Sequence, residues 1–577
     1  MTRHYVTSST MSEESTRLLA PSSYCGHAHW LMYSVTFLAT LGGFVLGYDM
    51  GVMSGAMLYI STYFQLSTFW QEAIISSVLA TGAIAALISG WLSDKIGRKL
   101  TIMVSSVFTV IGGVVMATAN SKEILLAGRA VSGVGMGLAG VAVSVYVSEV
   151  SEAGSRGRHI FFQQVMSNAG ILASGLLSGA FSFLHPDGWR YMLGMIVVPG
   201  VVQLCGFCLM PESPRWLVSR GRTDDARQVL TRLRAGADVN KELKDILKVV
   251  EEEKTTLAGG CQHYVHLLRS PSVRRALAVG CGLVLFQQWT GINSVFYYSG
   301  TVIKMAGFPT THAVWLVTIP NSVFFIASFI GLYGVEKVGR RPILIVSISG
   351  TLVGLSLMAV GFQLTAVHSP QLNWTGWDSN SSVDCMVKHR SCQTCTEDNS
   401  CGFCYTDESY GTCLPSFNAQ RSFNGPCNTS TGTEGFYKWA YQFCPSSYSW
   451  LPLLGMTAFV LAYAPGLGPV TWTLNAEIYP LWARSSCNAI SSCVGWLCNI
   501  IFTLNFLTLA ENITMYGTCW LFVALTVVGV TFVVLQVPET RNKSLEELEE
   551  LFTDRLHKDS PAQMTSQTDT TKTAQHR

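Results

Sequence analysis

Asp94-Lys95-Ile96-Gly97-Arg98-Lys99 returns later in the chain as Glu336-Lys337-Val338-Gly339-Arg340-Arg341. Both copies read acid, base, apolar residue, glycine, base, base, and both interrupt long apolar runs. A second pair repeats with them: Glu149 and Arg156 stand seven residues apart, and so do Glu477 and Arg484. The chain therefore reads as two related halves. The first motif recurs at an offset of 242 residues and the second at 328, so the second half holds 86 extra residues between its two motifs. That surplus is the polar stretch 365–448.

The sequence around the motifs is membrane-like. Of 577 residues only 13% are charged, about half the ~25% usual in soluble domains. The runs 276–303, 445–476, 485–510 and 512–538 contain no Asp, Glu, Lys or Arg. A hydrocarbon core of ~30 Å takes about 20 apolar residues in helix. Helix is obligatory there, because lipid offers the backbone no other hydrogen-bond partner. Counting from Trp30 gives roughly twelve spans by this length rule, with Gly291 and Pro465 marking two helices expected to be interrupted. The expected architecture is an all-α membrane protein, about twelve transmembrane helices in two six-helix bundles, plus a small Cys-rich extracellular module.

The basic loops 94–99, 156–158, 215–275 and 336–341 alternate with loops poor in Lys and Arg, which places both termini in the cytoplasm by the positive-inside rule. No cleavable signal peptide is expected, since the first apolar run starts late and no typical cleavage site follows it. A net charge of +2 leaves no electrostatic footprint for nucleic acid. The chain divides into a polar tail 1–29, a first bundle 30–210, a linker 211–275 with short amphipathic helices, three helices within 276–364, the module 365–448, three helices within 449–538, and a tail 539–577. The composition of both tails predicts disorder.

The module holds Cys385, Cys392, Cys395, Cys401, Cys404, Cys413, Cys427 and Cys444, eight of the 17 cysteines. The C-x2-C-x5-C-x2-C spacing is one that zinc sites use. An external location and an even count favour disulfides, with 105 possible pairings. Asn373, Asn380 and Asn428 open glycosylation sequons in the module, and Asn512 opens another in the last external loop. In the N-terminal tail Glu14-Ser15-Thr16-Arg17-Leu18-Leu19 has the form of an acidic dileucine signal for sorting adaptors. It leaves plasma membrane and endosomal or lysosomal membrane both open.

Asp49 is the only charged residue between Trp30 and Gln71. An intramembrane carboxylate costs several kcal/mol unless protonated or paired, which makes it a functional candidate. Its natural partner is Arg129, at the start of the fourth span; separation of such a pair would change proton affinity, as proton coupling requires. Asp94, Arg98, Lys99, Glu336, Arg340 and Arg341 lie at cytoplasmic span ends, with Glu149, Arg156, Glu477 and Arg484 as expected partners in a gate that would hold the halves together. Gln287, Gln288 and Asn293 flank Gly291, while Gln164, Trp472, Trp496 and Asn499 add amides and indoles from other spans. Neutral amides suit hydroxyl groups and indole faces suit C–H faces, so this set describes a polyol or sugar site. No nucleophile–base pair, metal cluster or phosphate loop stands out, so neither an enzyme nor a cofactor is expected.

Five motifs together resemble the sugar porter family of the major facilitator superfamily. They are Gly90-x-x-x-Asp94-x-x-Gly97-Arg98-Lys99, Pro211-Glu212-Ser213-Pro214-Arg215-Trp216-Leu217, the 287–293 stretch, Gly468-Pro469-x-x-Trp472, and Pro538-Glu539-Thr540-Arg541. The resemblance implies the major facilitator fold, a central site and alternating access. The Cys-rich loop and 477–485 narrow it to animal proton/myo-inositol cotransporters, in which Asp49 and Arg129 would couple protons and the amide and Trp set would bind cargo. Two residues depart from the family pattern: Glu152 stands where the first-half motif usually has Pro, and Asn321 lies about one turn from the expected eighth-span Asn. A proton-independent hexose facilitator is one alternative. A receptor or adhesion role for the module is another.

Overall fold

The computed structural model describes residues 23–541 except 153–155, 185, 235–238, 258–266, 268, 373–384, 386–388, 390, 399, 408–409, 419–420, 424–426, 429–436, 442 and 481–482. The segment 14–19 and nearly all of the C-terminal tail therefore lie outside the described residues, as do Asn373 and Asn380.

The first half contains α1 (Ser23–Tyr63), α2 (Thr68–Ile96), α3 (Arg98–Ala117), α4 (Lys122–Val150), α5 (Arg156–Phe181), α6 (Gly188–Gly194) and α7 (Val197–Leu209). Helix α1 begins at Ser23, inside the stretch 1–29 expected to be disordered. The linker forms α8 (Pro214–Ser219), α9 (Thr223–Leu233) and α10 (Asn240–Leu257). Leu217, Ala226, Leu230 and Leu243 bury the apolar sides of these helices against one another, as their amphipathic spacing requires.

The second half opens with α11 (Pro271–Trp289), α12 (Ile292–Met305), α13 (Thr310–Leu316), α14 (Thr318–Lys337) and α15 (Arg340–Val367). After the module it closes with α17 (Trp450–Tyr463), α18 (Leu467–Glu477), α19 (Arg484–Leu504), α20 (Phe506–Ile513) and α21 (Met515–Gln536). Among the described residues ten helical segments are long and apolar enough to cross a membrane. The fifth and seventh spans fall short of that length or apolarity. Helix α5 is interrupted in its apolar character by Gln163, Gln164 and Asn168, and the seventh span is cut at Gly291 into α11 and α12.

Four glycines spaced by four residues, Gly43, Gly47, Gly51 and Gly55, seat α1 against α5. A Cβ at Gly47 would lie 1.8 Å from the Ser167 carbonyl oxygen, and one at Gly51 would lie 2.1 Å from Ser174 Oγ. Small residues at this spacing let helix backbones approach in a membrane. Asp49 is two residues from each of Gly47 and Gly51, about 200° around the helix, so it faces away from α5. In the repeated motif Gly97 and Gly339 adopt φ of 102° and 109°, a conformation that glycine supplies without steric cost. They turn α2 into α3 and α14 into α15.

The tenth span breaks between Tyr463 and Leu467, where Pro465 was expected to interrupt it. Ser347 on α15 joins the broken ends: its Oγ donates to the Ala462 carbonyl at 2.7 Å and accepts from the Leu467 N–H at 2.7 Å.

The module is a small sheet with one short helix, α16 (Cys392–Glu397). Its strands are β1 (Gln371–Leu372), β2 (Cys401–Asp407), β3 (Tyr410–Asn418), β4 (Arg421–Ser422) and β5 (Lys438–Ala440), in the order β1-β3-β2-β5 with β4 against β3. Cysteine supplies much of its core. Cys385–Cys401, Cys392–Cys444, Cys395–Cys413 and Cys404–Cys427 are disulfides, which takes all eight sulfurs out of reach of zinc. Around them pack Phe403 and Ala440, both fully buried. The base of the module rests on the end of α12, where a Cβ at Gly307 would lie 2.5 Å from the Cys444 carbonyl oxygen.

Candidate functional site

Asp49 and Arg129 meet inside the first half. Arg129 Nη1 lies 2.5 Å from Asp49 Oδ1, and the two side chains are 0% and 1% exposed. Arg129 Nε also points at the Ile74 carbonyl on α2 at 3.4 Å, so the guanidinium ties α4 to both α1 and α2. Satisfaction is incomplete: Asp49 Oδ2 and Arg129 Nη2 are buried with no hydrogen-bond partner. A buried pair held through one contact can be separated by a small helix displacement or by one proton on the carboxylate. Tyr48, next in sequence, is anchored elsewhere by donating to the Met192 carbonyl at 2.7 Å.

The amide cluster forms at two broken helices. Gly291, at φ 77°, separates α11 from α12, and the Asn293 amide reaches back across the break to Gln288 Oε1 at 2.5 Å. Gln287 Nε2 donates to the carbonyls of Leu467 and Gly468 at 2.9 and 3.1 Å. Its Oε1 stays buried without a partner. Gln287 thus ties α11 to the first turn of α18 through two backbone carbonyls, a contact between helices. Gln164 donates to Asn168 on its own helix at 3.1 Å, and Asn499 accepts from Thr503 at 3.1 Å. Trp472 is 46% exposed. Trp496 lies against Gly82 of the first half, 3.9 Å from where a Cβ would be. Among the described residues the amide oxygen of Gln164 and the amide nitrogens of Gln288 and Asn499 engage no protein partner, which leaves acceptors and donors for a hydroxylated molecule.

The repeated motifs form two matching networks on the linker side. In the first half Arg98 grips Glu149 through Nε and Nη2, both at 3.0 Å, and reaches Asp94 at 3.0 Å. Ser213 Oγ donates to the same Glu149 at 2.5 Å. In the second half Arg340 Nη2 meets Glu477 at 3.1 Å, and Thr540 Oγ1 donates to Glu477 at 2.6 Å. Lys99 Nζ donates to the Cys208 carbonyl, and Arg341 likewise to that of Val534.

Glu212 and Glu539 complete each network as helix caps, a role legible only afterwards from the paired Pro-Glu motifs. Glu212 accepts the N–H groups of Arg98 and Lys99 at 3.0 and 3.1 Å, at the start of α3. Glu539 accepts those of Arg340 and Arg341 at 3.1 Å each, together with Thr540 and Arg541. These are donors that a helix start leaves unsatisfied. Burial pushes the Glu212 carboxyl up and outweighs its hydrogen bonds. At the less buried Glu539 burial also pushes up, but the four N–H groups win and leave the carboxyl below the usual range.

Among the described residues both networks close within one half, so in this conformation they brace each bundle. Arg484 donates to the Tyr479 carbonyl and, among the described residues, to no carboxylate. The side chains of Arg156 and Glu336 lie outside the described residues. Contacts that join the halves gather instead on the module side: Asn321 Nδ2 donates to the Ile171 carbonyl at 3.2 Å, and Thr508 bonds Glu72. Asn321 is thereby placed at helix packing. Of the sequon residues, Asn428 is half-buried and Asn512 exposed, and they donate to the carbonyls of Phe423 and Thr508.

Two structurally repeated halves with broken seventh and tenth spans, an intramembrane ion pair and matched charge networks define a secondary carrier of the major facilitator fold. The family profile described as Sugar (and other) transporter matches residues 35–378 and 427–552. The part between those matches falls in the disulfide module. A human protein named proton myo-inositol cotransporter is 41% identical over 534 residues, 91% of this chain and 82% of that one. An Escherichia coli arabinose-proton symporter is 32% identical over 519 residues, covering 89% and 92%. The xylose transporter XylE from E. coli, in a partially occluded inward open conformation, superposes with a TM-score of 0.64 at 23% identity, covering 89% of this chain and 99% of that one. The chain belongs to the sugar porter family of the major facilitator superfamily, a family of membrane transporters and not of enzymes.

Proposed function

We propose that this carrier moves myo-inositol together with protons by alternating access, with the module side facing the cell exterior or an organelle lumen. The observation that carries the proton half of this reading is the Asp49–Arg129 pair, fully buried in the span region and joined through one contact. A proton arriving at Asp49 from the module side removes its charge and weakens its hold on Arg129, freeing α1 to move relative to α4. The carboxylate re-forms the pair when the proton leaves on the linker side. The cargo half rests on the amides at the α11–α12 break and on Gln164, Asn499, Trp472 and Trp496, whose donors, acceptors and indole faces suit a ring bearing hydroxyls. The 41% identity to a protein named for myo-inositol supports the same cargo.

In this reading the Arg98–Glu149 and Arg340–Glu477 networks keep each bundle rigid as it rocks, and Arg156, Glu336 and Arg484 become available to bridge the bundles when the linker side closes. The plasma membrane is the expected location, with the segment 14–19 open to sorting adaptors and Asn373, Asn380, Asn428 and Asn512 as glycan acceptors. The test is electrical. Cells displaying the protein should pass inward current on addition of myo-inositol at acidic external pH, and the current should fall as that pH is raised. Uptake of labelled myo-inositol without current would overturn the coupling, and absence of uptake would overturn the cargo.

A further inference from the structure

Glu72 is a buried carboxylate that the transport reading does not use. It sits in the second turn of α2, 2% exposed, on the module side, where the two halves meet. Both of its oxygens leave its own half: Oε1 accepts the Thr508 backbone N–H at 2.8 Å and Oε2 accepts Thr508 Oγ1 at 2.6 Å. Thr508 is the third residue of α20, where a helix presents N–H groups that have no partner within the helix. The cap that α20 would ordinarily supply is missing. Asn505, at its N-cap position, makes no capping bond and donates instead to the Ile501 carbonyl. The α20 N-terminus is therefore capped in trans by a carboxylate from the other bundle. A reciprocal bond runs beside it, from Thr68 Oγ1 of α2 to Glu511 of α20.

We infer that Glu72 is the positioning residue that latches the module-side gate, holding α2 to α20 while the linker side is open and letting go when the carrier faces the other way. The physical basis is reciprocal. Parting the halves uncaps α20 at the same moment as it strips the carboxylate of both partners, so the closed gate gains charge-assisted bonds that no neutral contact would match. The cost of release is met by water, which can enter only once the gate has opened. Thr508 contributes a hydroxyl and a backbone N–H, so the latch recognises one residue and tolerates no sliding of α20 along α2.

This inference rests on the alternating-access reading but not on the identity of the cargo. The experiment needs no cargo. Ser76 lies one turn along α2 from Glu72, on the same face, and is 3% exposed. In a Ser76→Cys background, a membrane-impermeant maleimide applied from the module side reports gate opening by its rate of attachment, normalised to protein at the surface. Glu72→Ala should raise that rate at least about tenfold, the scale of one hydrogen bond to a charged group. Thr508→Val, which keeps the carboxylate, should raise it by less, and Glu72→Gln should fall between parent and Glu72→Ala. The Glu72→Ala/Thr508→Val pair should be no faster than Glu72→Ala alone, since Thr508→Val removes a bond that Glu72→Ala has already removed. An unchanged rate in Glu72→Ala, or independent effects in the pair, would overturn the latch. Should Glu72→Ala fail to reach the surface, Glu72→Gln and Thr508→Val decide the matter by the same rates.

Discussion

Breaking the Asp49–Arg129 pair from either side should give two unequal results. Both side chains are buried to 1% or less and share one contact of 2.5 Å. Removing one member of a buried pair costs about 3–5 kcal/mol, because the charge left behind has lost its compensation. Arg129→Ala is that case: Asp49 keeps its burial and loses its hydrogen-bond donor, so the full ~3–5 kcal/mol applies unless the carboxyl takes up a proton. Asp49→Asn is milder. The amide oxygen still accepts from Arg129 Nη1 and imitates the protonated acid, so roughly half that cost is expected. The double variant Asp49→Asn/Arg129→Gln removes both charges and should recover most of the loss, since a neutral pair carries no uncompensated ion. The assay is thermal unfolding of detergent-solubilised protein beside cargo-evoked current. The expected order of melting temperature is parent, then Asp49→Asn and the double variant, then Arg129→Ala lowest. Asp49→Asn should retain downhill cargo exchange with its current abolished. The reasoning is refuted if Arg129→Ala melts with the parent, or if Asp49→Asn shows the parent's current and pH response.

The two matched networks are unequal, and variants should show it. Arg98→Lys exchanges a two-point grip on Glu149 for a point charge and should cost about 1.5–3 kcal/mol. Arg340→Lys, which loses one bond to Glu477, should cost visibly less in the same melting assay. Glu212→Ala should destabilise by about 1–2 kcal/mol through the uncapped start of α3. For Glu539, whose carboxyl is held below the ordinary range, the sign runs the other way from a buried acid kept neutral. Its stabilisation is complete above the unfolded value of about 4.3 and disappears as pH falls through the lower folded value. The melting gap between the parent and Glu539→Gln should therefore be constant near neutrality and close only in acid. Peptide mapping without reduction should recover Cys385–Cys401, Cys392–Cys444, Cys395–Cys413 and Cys404–Cys427. Replacing Cys395 and Cys413 together by Ser, which opens a link of 18 residues, should cost the module about 3 kcal/mol.

The sequence by itself determined the membrane class, the duplication, the position of the module and the identity of the ion pair. Each of these is written in local pattern: charge-free runs of span length, a six-residue signature printed twice, an offset that changes between motifs, one acid in a long apolar stretch. The interruptions at Gly291 and Pro465 were legible for the same reason, since glycine and proline act on their own backbone. The fifth span carries Gln163, Gln164 and Asn168, and the seventh is cut at Gly291 between Gln288 and Asn293, so neither stands among the ten long apolar helices of the described residues.

Only the tertiary structure decided which groups meet. Glu212 caps a helix that begins 114 residues earlier, Glu539 one that begins 199 earlier, and Glu72 one that lies 436 residues later. Nothing in the neighbourhood of a glutamate states which distant N–H it will accept, because that depends on helix register and crossing. The disulfide pairing was open for the same cause, as the folded sheet selects one arrangement among 105. The described members of the networks expected to clasp the halves pair within each half in this conformation, since the sequence gives partners but not the conformation in which they are seen. Local chemistry chooses which residues are costly to bury, and packing alone chooses what compensates them.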